Sequence, residues 1–200
     1  MSNNQEEKIY KDKVHLFIAL QRPSKQGVGH KSCIRHVIKR DEAEELKVFE
    51  AKIKAVGGEW RIYRTVNARD VNKAYKVFMK MMIDYPERAS CIDSIWITAL
   101  LQRECKAEKY FMLDVDTKDE EKILKLEYKL WSGLNKKVEF EKYLACRHDK
   151  ENILIINKIK SPSGWHYITL PFDTREVCKL DYVTLLRDGY YYIKTINEDN

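Results

Sequence analysis

Apolar and polar positions alternate along the chain with two different periods, and the change of period marks the elements. Val14 to Leu20 (VHLFIAL) is a continuous apolar run, as a strand buried on both faces requires. Arg22 to Lys31 holds a proline, two glycines and a serine and predicts a loop, with a second strand over Ser32 to Lys39. Asp41 precedes Glu42, Glu44 and Glu45, and Leu46, Phe49 and Ile53 follow at helical spacing. That order predicts a helix capped by Asp41 and ended by Gly57 and Gly58. Trp60 to Val66 alternates as a strand does. Asp70 predicts the cap of a helix from Val71 to about Asp84, with Ala74, Val77, Phe78 and Met81 on one face and Pro86 closing the region. Asp93 or Ser94 predicts the cap of another helix, carrying Ile95, Ala99, Leu100 and Cys105. Lys109 to Val115 reads as a strand, and Lys118 to Leu130 as an amphipathic helix with Ile123, Leu126 and Leu130 inward.

The remainder is strand-rich: Val138 to Leu144, Ile153 to Ile159, Trp165 to Leu170, Val183 to Leu186 and Tyr190 to Ile196. Arg187-Asp188-Gly189 between the last two predicts a hairpin. Mixed elements followed by an antiparallel block give an α+β class. No linker cuts the chain, so residues 1–200 are expected to form a single domain.

Composition narrows the class without choosing a function. The chain has 200 residues, 44% of them hydrophobic, and 12 tyrosines, which argues against disorder. Its net charge of +6 and pI near 8.9 permit a polyanionic partner without requiring one. Met1 to Lys13 is polar and lacks the apolar core of a signal peptide, and no apolar run approaches the roughly 20 residues that cross a bilayer. The five cysteines are widely spaced with no CxxC pair, so reduced thiols and a cytoplasmic location with no membrane partner are expected. His30, Cys33 and His36 have metal-like spacing, but a strand there points Cys33 and His36 to opposite faces.

Candidate chemistry begins at Phe111-Met112-Leu113-Asp114-Val115-Asp116. The strand period of two puts Asp114 and Asp116 on one side. Two adjacent carboxylates repel unless a cation lies between them, and Mg²⁺ accepts a few carboxylates, waters and phosphate oxygens. The structural alternative is that Asp114 ends a strand and Asp116 caps the helix beginning near Lys118. A second feature is Lys158-Ile159-Lys160-Ser161-Pro162-Ser163-Gly164-Trp165-His166, a basic strand turning into a strand that opens with Trp-His. Gly164 permits a close backbone approach to a ligand, and the turn amides with Ser161 and Ser163 can hold phosphate oxygens. His166 would reach a phosphate, with Lys158 and Lys160 adding charge. The alternative is an ordinary β-turn and a locally satisfied histidine.

Taken together, Leu113-Asp114-Val115-Asp116 followed about 50 residues later by Ser163-Gly164-Trp165-His166 resembles the catalytic core of the archaeo-eukaryotic primase (primase-polymerase) superfamily. That family carries an hDhD/E strand, a small-residue-x-His strand and a later strand with a third acid. Here Gly164 stands two before the histidine and Ser163 one further back. The third acid is either Asp181 or Asp188. Gly164 to Phe172 followed by Asp173-Thr174-Arg175 also resembles small bacteriophage proteins with a primase-like core. The resemblance implies an RRM-like antiparallel sheet joined to a second small α/β unit. It implies nucleotidyl transfer from nucleoside triphosphates to a 3′-hydroxyl on a nucleic-acid template. Asp114, Asp116 and Asp181 or Asp188 would hold Mg²⁺ or Mn²⁺, and His166, Ser163 and Gly164 the triphosphate. Arg61, Arg64, Arg69 and Lys73 would contact the template, or else form a solvated basic face.

Two other classes stay open. One is a catalytically degenerate nucleotide- or nucleic-acid-binding protein. The other is a phage-type protein that binds a replication or host protein, using Tyr190-Tyr191-Tyr192 as an exposed interface cluster. A two-histidine phosphoesterase built on His15 and His166 lacks the hydroxyl residue two places on, where Phe17 and Ile168 stand. No P-loop, GxGxxG or GxSxG motif is present.

Overall fold

The computed structural model describes residues 12–21, 32–132 and 154–197. They form an α+β protein of antiparallel sheets and four helices, in two compact units: residues up to Glu108 together with Ile193 onward, and Lys109–Tyr192. The chain crosses between them at Glu108–Lys109 and again inside a strand at Tyr192–Ile193, so no composition change marks either crossing.

In the first unit, β1 (Lys13–Gln21) is the central strand. It pairs antiparallel with β2 (Cys33–Ile38), with β3 (Trp60–Thr65) and with the short β4 (Arg69–Asp70); β9 (Tyr190–Ile196) joins beside β3. Its unbroken apolar run serves two cores. Phe17 and Ala19 pack with Ile62, Trp60, Phe49 and Ile53 under α1 (Glu42–Val56), while Val14 and Leu16 pack with Ala74 and Leu100 under α2 (Val71–Asp84) and α3 (Ile92–Leu100). Asp41 Oδ1 accepts the Ala43 and Glu44 amides, both at 3.0 Å, and Gly57 ends α1 at a φ of 75°, as the sequence led one to expect. Asp70 caps α2 through the Lys73 amide.

Helix α3 departs from expectation. It starts at Ile92, after a 3-10 turn over Pro86–Cys91, with neither Asp93 nor Ser94 as its cap. Cys105 falls in a separate 3-10 turn, Arg103–Cys105. His30 of the HxxCxxH run lies outside the described residues. His36 faces Phe17 and Phe49, stacks on both rings and meets Glu45 Oε2 at 2.6 Å, away from Cys33.

The second unit is a four-stranded antiparallel sheet in the order β6 (Ile155–Lys160), β7 (Trp165–Thr169), β5 (Phe111–Val115), β8 (Val183–Leu186). Helix α4 (Glu120–Ser132) covers one face through Leu126 and Leu130, against Leu113, Val115 and Tyr167. The expected strand at Val138 to Leu144 lies outside the described residues. The expected hairpin at Arg187-Asp188-Gly189 is not formed, because β8 and β9 belong to different sheets. Gly189 does not adopt the positive φ of a tight hairpin turn. It is a close-packing glycine: a Cβ there would lie 3.0 Å from Met112 Cε and 3.2 Å from Leu186 Cβ.

Candidate functional site

Pairing in the second sheet decides which side chains share a face. Asp114 stands opposite His166 on β7 and Thr184 on β8, and Ile159 on β6 stands opposite His166. Directly opposed residues point the same way, so Ile159, His166, Asp114 and Thr184 form one row across the sheet, on the face away from α4. Within that row His166 Nε2 lies 3.3 Å from Asp114 Oδ1. The histidine side chain is 6% exposed and the aspartate 32%, so the carboxylate is the accessible member. The Tyr192 backbone N–H donates to His166 Nδ1 at 3.0 Å. Nδ1 is therefore the lone-pair nitrogen, and the ring proton of the neutral imidazole sits on Nε2, aimed at Asp114.

Asp116 follows the last residue of β5, and its amide extends the ladder by one bond, to the Tyr182 carbonyl at 3.0 Å. It does not cap α4. Asp119 does, accepting the Glu121 amide at 2.9 Å and the Lys122 amide at 3.4 Å, while Thr117 Oγ1 accepts the Asp119 amide. The exposed Asp116 carboxylate takes no hydrogen bond or ion pair among the described residues. The capping alternative for Asp116 is thereby removed.

The Ser-Pro-Ser-Gly turn differs from a phosphate cradle. Gly164 N donates to Ser161 Oγ at 3.1 Å and Ser161 N to the Gly164 carbonyl at 2.9 Å, so these two amides are used inside the turn. The close approach that Gly164 permits is to the protein itself: a Cβ there would fall 2.0 Å from the Val115 carbonyl oxygen and 2.7 Å from that of Thr117. Ser163 is exposed at the tip. Lys158 and Lys160 pair opposite Tyr167 and Trp165, which places them on the α4 face, across the sheet from His166. Lys158 Nζ bonds Glu127 Oε1 at 2.8 Å and lies 4.6 Å from the Trp165 ring centroid; Tyr167 donates its hydroxyl to the same Glu127 oxygen at 2.8 Å. These partners hold β6, β7 and α4 together.

The other expected residues are dispersed. Asp181 is exposed beside Tyr182, whose hydroxyl is pushed up in pKa by burial and then by the Asp181 and Asp119 charges. Asp188 lies in the connection between β8 and β9. Among the described residues, no three His, Cys, Asp or Glu side chains gather as a metal-holding group. In the first unit Arg61 and Arg64 point to opposite faces of β3, and Arg64 grips Glu42 with Nε at 2.6 Å and Nη2 at 3.0 Å. Arg69 is 0% exposed, so its side chain does not reach a template in this structure, while Lys73 is exposed with Asp70 Oδ2 at 3.8 Å. Tyr190, Tyr191 and Tyr192 are half-buried and partnered rather than an exposed cluster.

The donor set fits a divalent cation in one way. Mg²⁺ takes one or two carboxylates and completes its shell with water and substrate phosphate. Asp114, together with Asp116, which has no partner among the described residues, would be the candidates to supply those carboxylates. His166 does not fit as a ligand, because its proton is on the nitrogen that faces the site. Sequence reasoning missed Thr184 at the end of the row and the Tyr192 amide behind the histidine: the first depends on strand register, the second on a backbone group. No family model, no curated protein and no solved structure matches this chain. Among the described residues no helix is long and apolar enough to cross a membrane.

Proposed function

We propose that this chain is a primase-polymerase-like nucleotidyltransferase, with nucleoside triphosphate and nucleic acid as its partners. The carrying observation is the His166 Nε2–H facing the Asp114 carboxylate at 3.3 Å on neighbouring central strands. Asp114 and Asp116 would hold Mg²⁺ or Mn²⁺. With Asp114 turned to a cation, the His166 Nε2–H becomes a donor for a triphosphate oxygen, held in that tautomer by Tyr192. A bound cation would neutralise the triphosphate and favour attack of a 3′-hydroxyl on its α-phosphorus, with pyrophosphate leaving. The strand order supports the RRM-like part of this reading. Strands β5 and β6 run parallel, with β7 between them and α4 in the connection, which is a split βαβ unit.

One observation favours a second reading, nucleotide binding without turnover: neither Asp181 nor Asp188 joins Asp114 and Asp116 in a metal-holding group. Manganese-dependent incorporation of labelled nucleotides on primed and unprimed templates separates the two, run beside calorimetry with nucleoside triphosphate and Mg²⁺. On the first reading Asp114→Asn and Asp116→Asn each abolish incorporation while circular dichroism and Tm stay as in the wild type. Binding without incorporation by the wild type selects the second. Neither binding nor incorporation removes the nucleotide from the site altogether.

A further inference from the structure

Helix α2 is apolar on more than the side it buries. Ala74 is fully buried against Val14, Leu16 and Leu100, Val77 packs beside it, and Phe78 meets Trp96 edge-on at 5.7 Å. On the outer side Tyr75, Met79 and Ile83 follow one another at intervals of four, with 57%, 41% and 74% of their surfaces exposed. At 3.6 residues per turn these three form a stripe along one side of the helix. Through and beyond the helix C-terminus every residue from Ile83 to Ser94 is exposed, Tyr85 at 53% and Ile92 at 50%, with the charged Asp84, Glu87, Arg88 and Asp93 among them, so the uniformly basic flank is confined to the stripe itself. Single exposed apolar residues are ordinary, but three in line along one side of a helix exceed what fold stability asks for.

Charge says what covers it. Lys76 and Lys80, both exposed, lie along one edge of the stripe with Lys73 behind them, and neither Lys76 nor Lys80 meets an acid among the described residues. The other edge, through Phe78 and Met82, leads into the protein. A helix that lies in a lipid surface carries lysines on its polar face, above both sides of the apolar one. Here the basic edge is one-sided, which suits a partner with an apolar side and a single acidic edge. Methionine and tyrosine are also the side chains that adapt to a protein partner and are enriched at interfaces.

We propose that the outer face of α2 docks an acidic amphipathic peptide segment of another protein, its apolar residues on Tyr75, Met79 and Ile83 and its carboxylates against Lys76 and Lys80. The test starts from a random peptide display library selected on the full chain. Selected peptides are expected to share apolar residues at intervals of three or four with Asp or Glu beside them. Affinity of the consensus peptide, read by fluorescence anisotropy, should weaken about tenfold or more in Met79→Ser/Ile83→Ser and in Lys76→Glu/Lys80→Glu. Both pairs are exposed, and an unchanged Tm shows that the fold is kept. A selected consensus without acids overturns the proposal, as does binding indifferent to both variants. So do tighter binding to phosphatidylserine vesicles than to the peptide, and dimerisation of the chain abolished by the same variants.

Discussion

Gly164→Ala separates a glycine that serves the protein's own backbone from one that serves a ligand. The added Cβ would stand 2.0 Å from the Val115 carbonyl oxygen, 2.7 Å from the Thr117 oxygen and 2.8 Å from the Thr117 nitrogen. All three are backbone atoms, so no flexible side chain can swing aside, and the turn and the end of β5 must part by roughly an ångström or more to restore ordinary contact. Overpacking of this kind costs about 3 kcal/mol where the surroundings yield little. Gly164 does not have a positive φ, so alanine adopts its backbone without strain and recovers about 0.7 kcal/mol by restricting the unfolded chain. The net loss is about 2 kcal/mol, which for a chain of this size lowers Tm by roughly 4–8 °C. Thermal unfolding followed by far-UV circular dichroism measures it, without nucleotide or cation. An unchanged or raised Tm would refute the backbone-contact argument, and nucleotide affinity lost at constant Tm would return Gly164 to the ligand.

Three further outcomes follow from particular contacts. Asp119→Ala should cost about 1 kcal/mol through loss of the α4 cap, whereas Asp116→Ala, which removes no protein contact among the described residues, should leave the urea midpoint unchanged. Burial, and after it the Arg64 charge, holds the His15 pKa below its ordinary 6.5, while its hydrogen bond to the Thr65 carbonyl opposes the shift. The unfolded chain therefore takes up the proton first, and stability present above pH 6.5 is lost as pH falls, by up to about 1.4 kcal/mol per pH unit. Urea unfolding at stepped pH should show this fall flattened in His15→Asn; an equal fall in both would refute the assignment to His15. Glu127→Ala leaves the Lys158 ammonium and the Tyr167 hydroxyl without a shared acceptor and should cost about 1–2 kcal/mol, read as a lower urea midpoint.

Much of the fold was legible because local signals and burial agree. β1 is mostly apolar between Val14 and Leu20 and is buried on both faces over Leu16 to Ala19; Asp41, Asp70 and Gly57 stand where the helix ends need them. What was illegible depends on partners distant in the chain. Gly189 reads as a hairpin glycine until Met112 is seen packed against it. Lys158 and Lys160 read as phosphate ligands until the β6–β7 register sends them to the α4 face. Arg69 reads as a surface cation, yet it is sealed inside beside Cys105 and the Ala68–Ala107 backbone bond. The α3 cap failed because Pro86 opens a 3-10 turn that carries the chain directly into the helix at Ile92.

The same distinction explains why the aspartates and the histidine hold more meaning in the folded chain than their neighbours do. Several neighbouring residues of the two motifs have structural duties that account for them, although Ser163, exposed at the turn tip, does not. Leu113 and Val115 fill the α4 core, Gly164 admits the end of β5, Ser161 closes its own turn, and Asp119 has taken the cap. Among the described residues Asp116 has no such duty, and Asp114 has only its contact with His166. Asp114 is a partly exposed carboxylate on a central strand that faces His166, and Asp116 is an exposed carboxylate with no partner among the described residues. At 3.3 Å the contact between the His166 Nε2–H and Asp114 is longer than an ordinary N–H···O hydrogen bond. Tyr192, by holding the histidine proton on Nε2, spends a backbone amide on keeping that donor aimed at the row. A cation on Asp114 and an anionic phosphate on the Nε2–H would satisfy both members of this row together, which is why the proposed nucleotide reading rests on it.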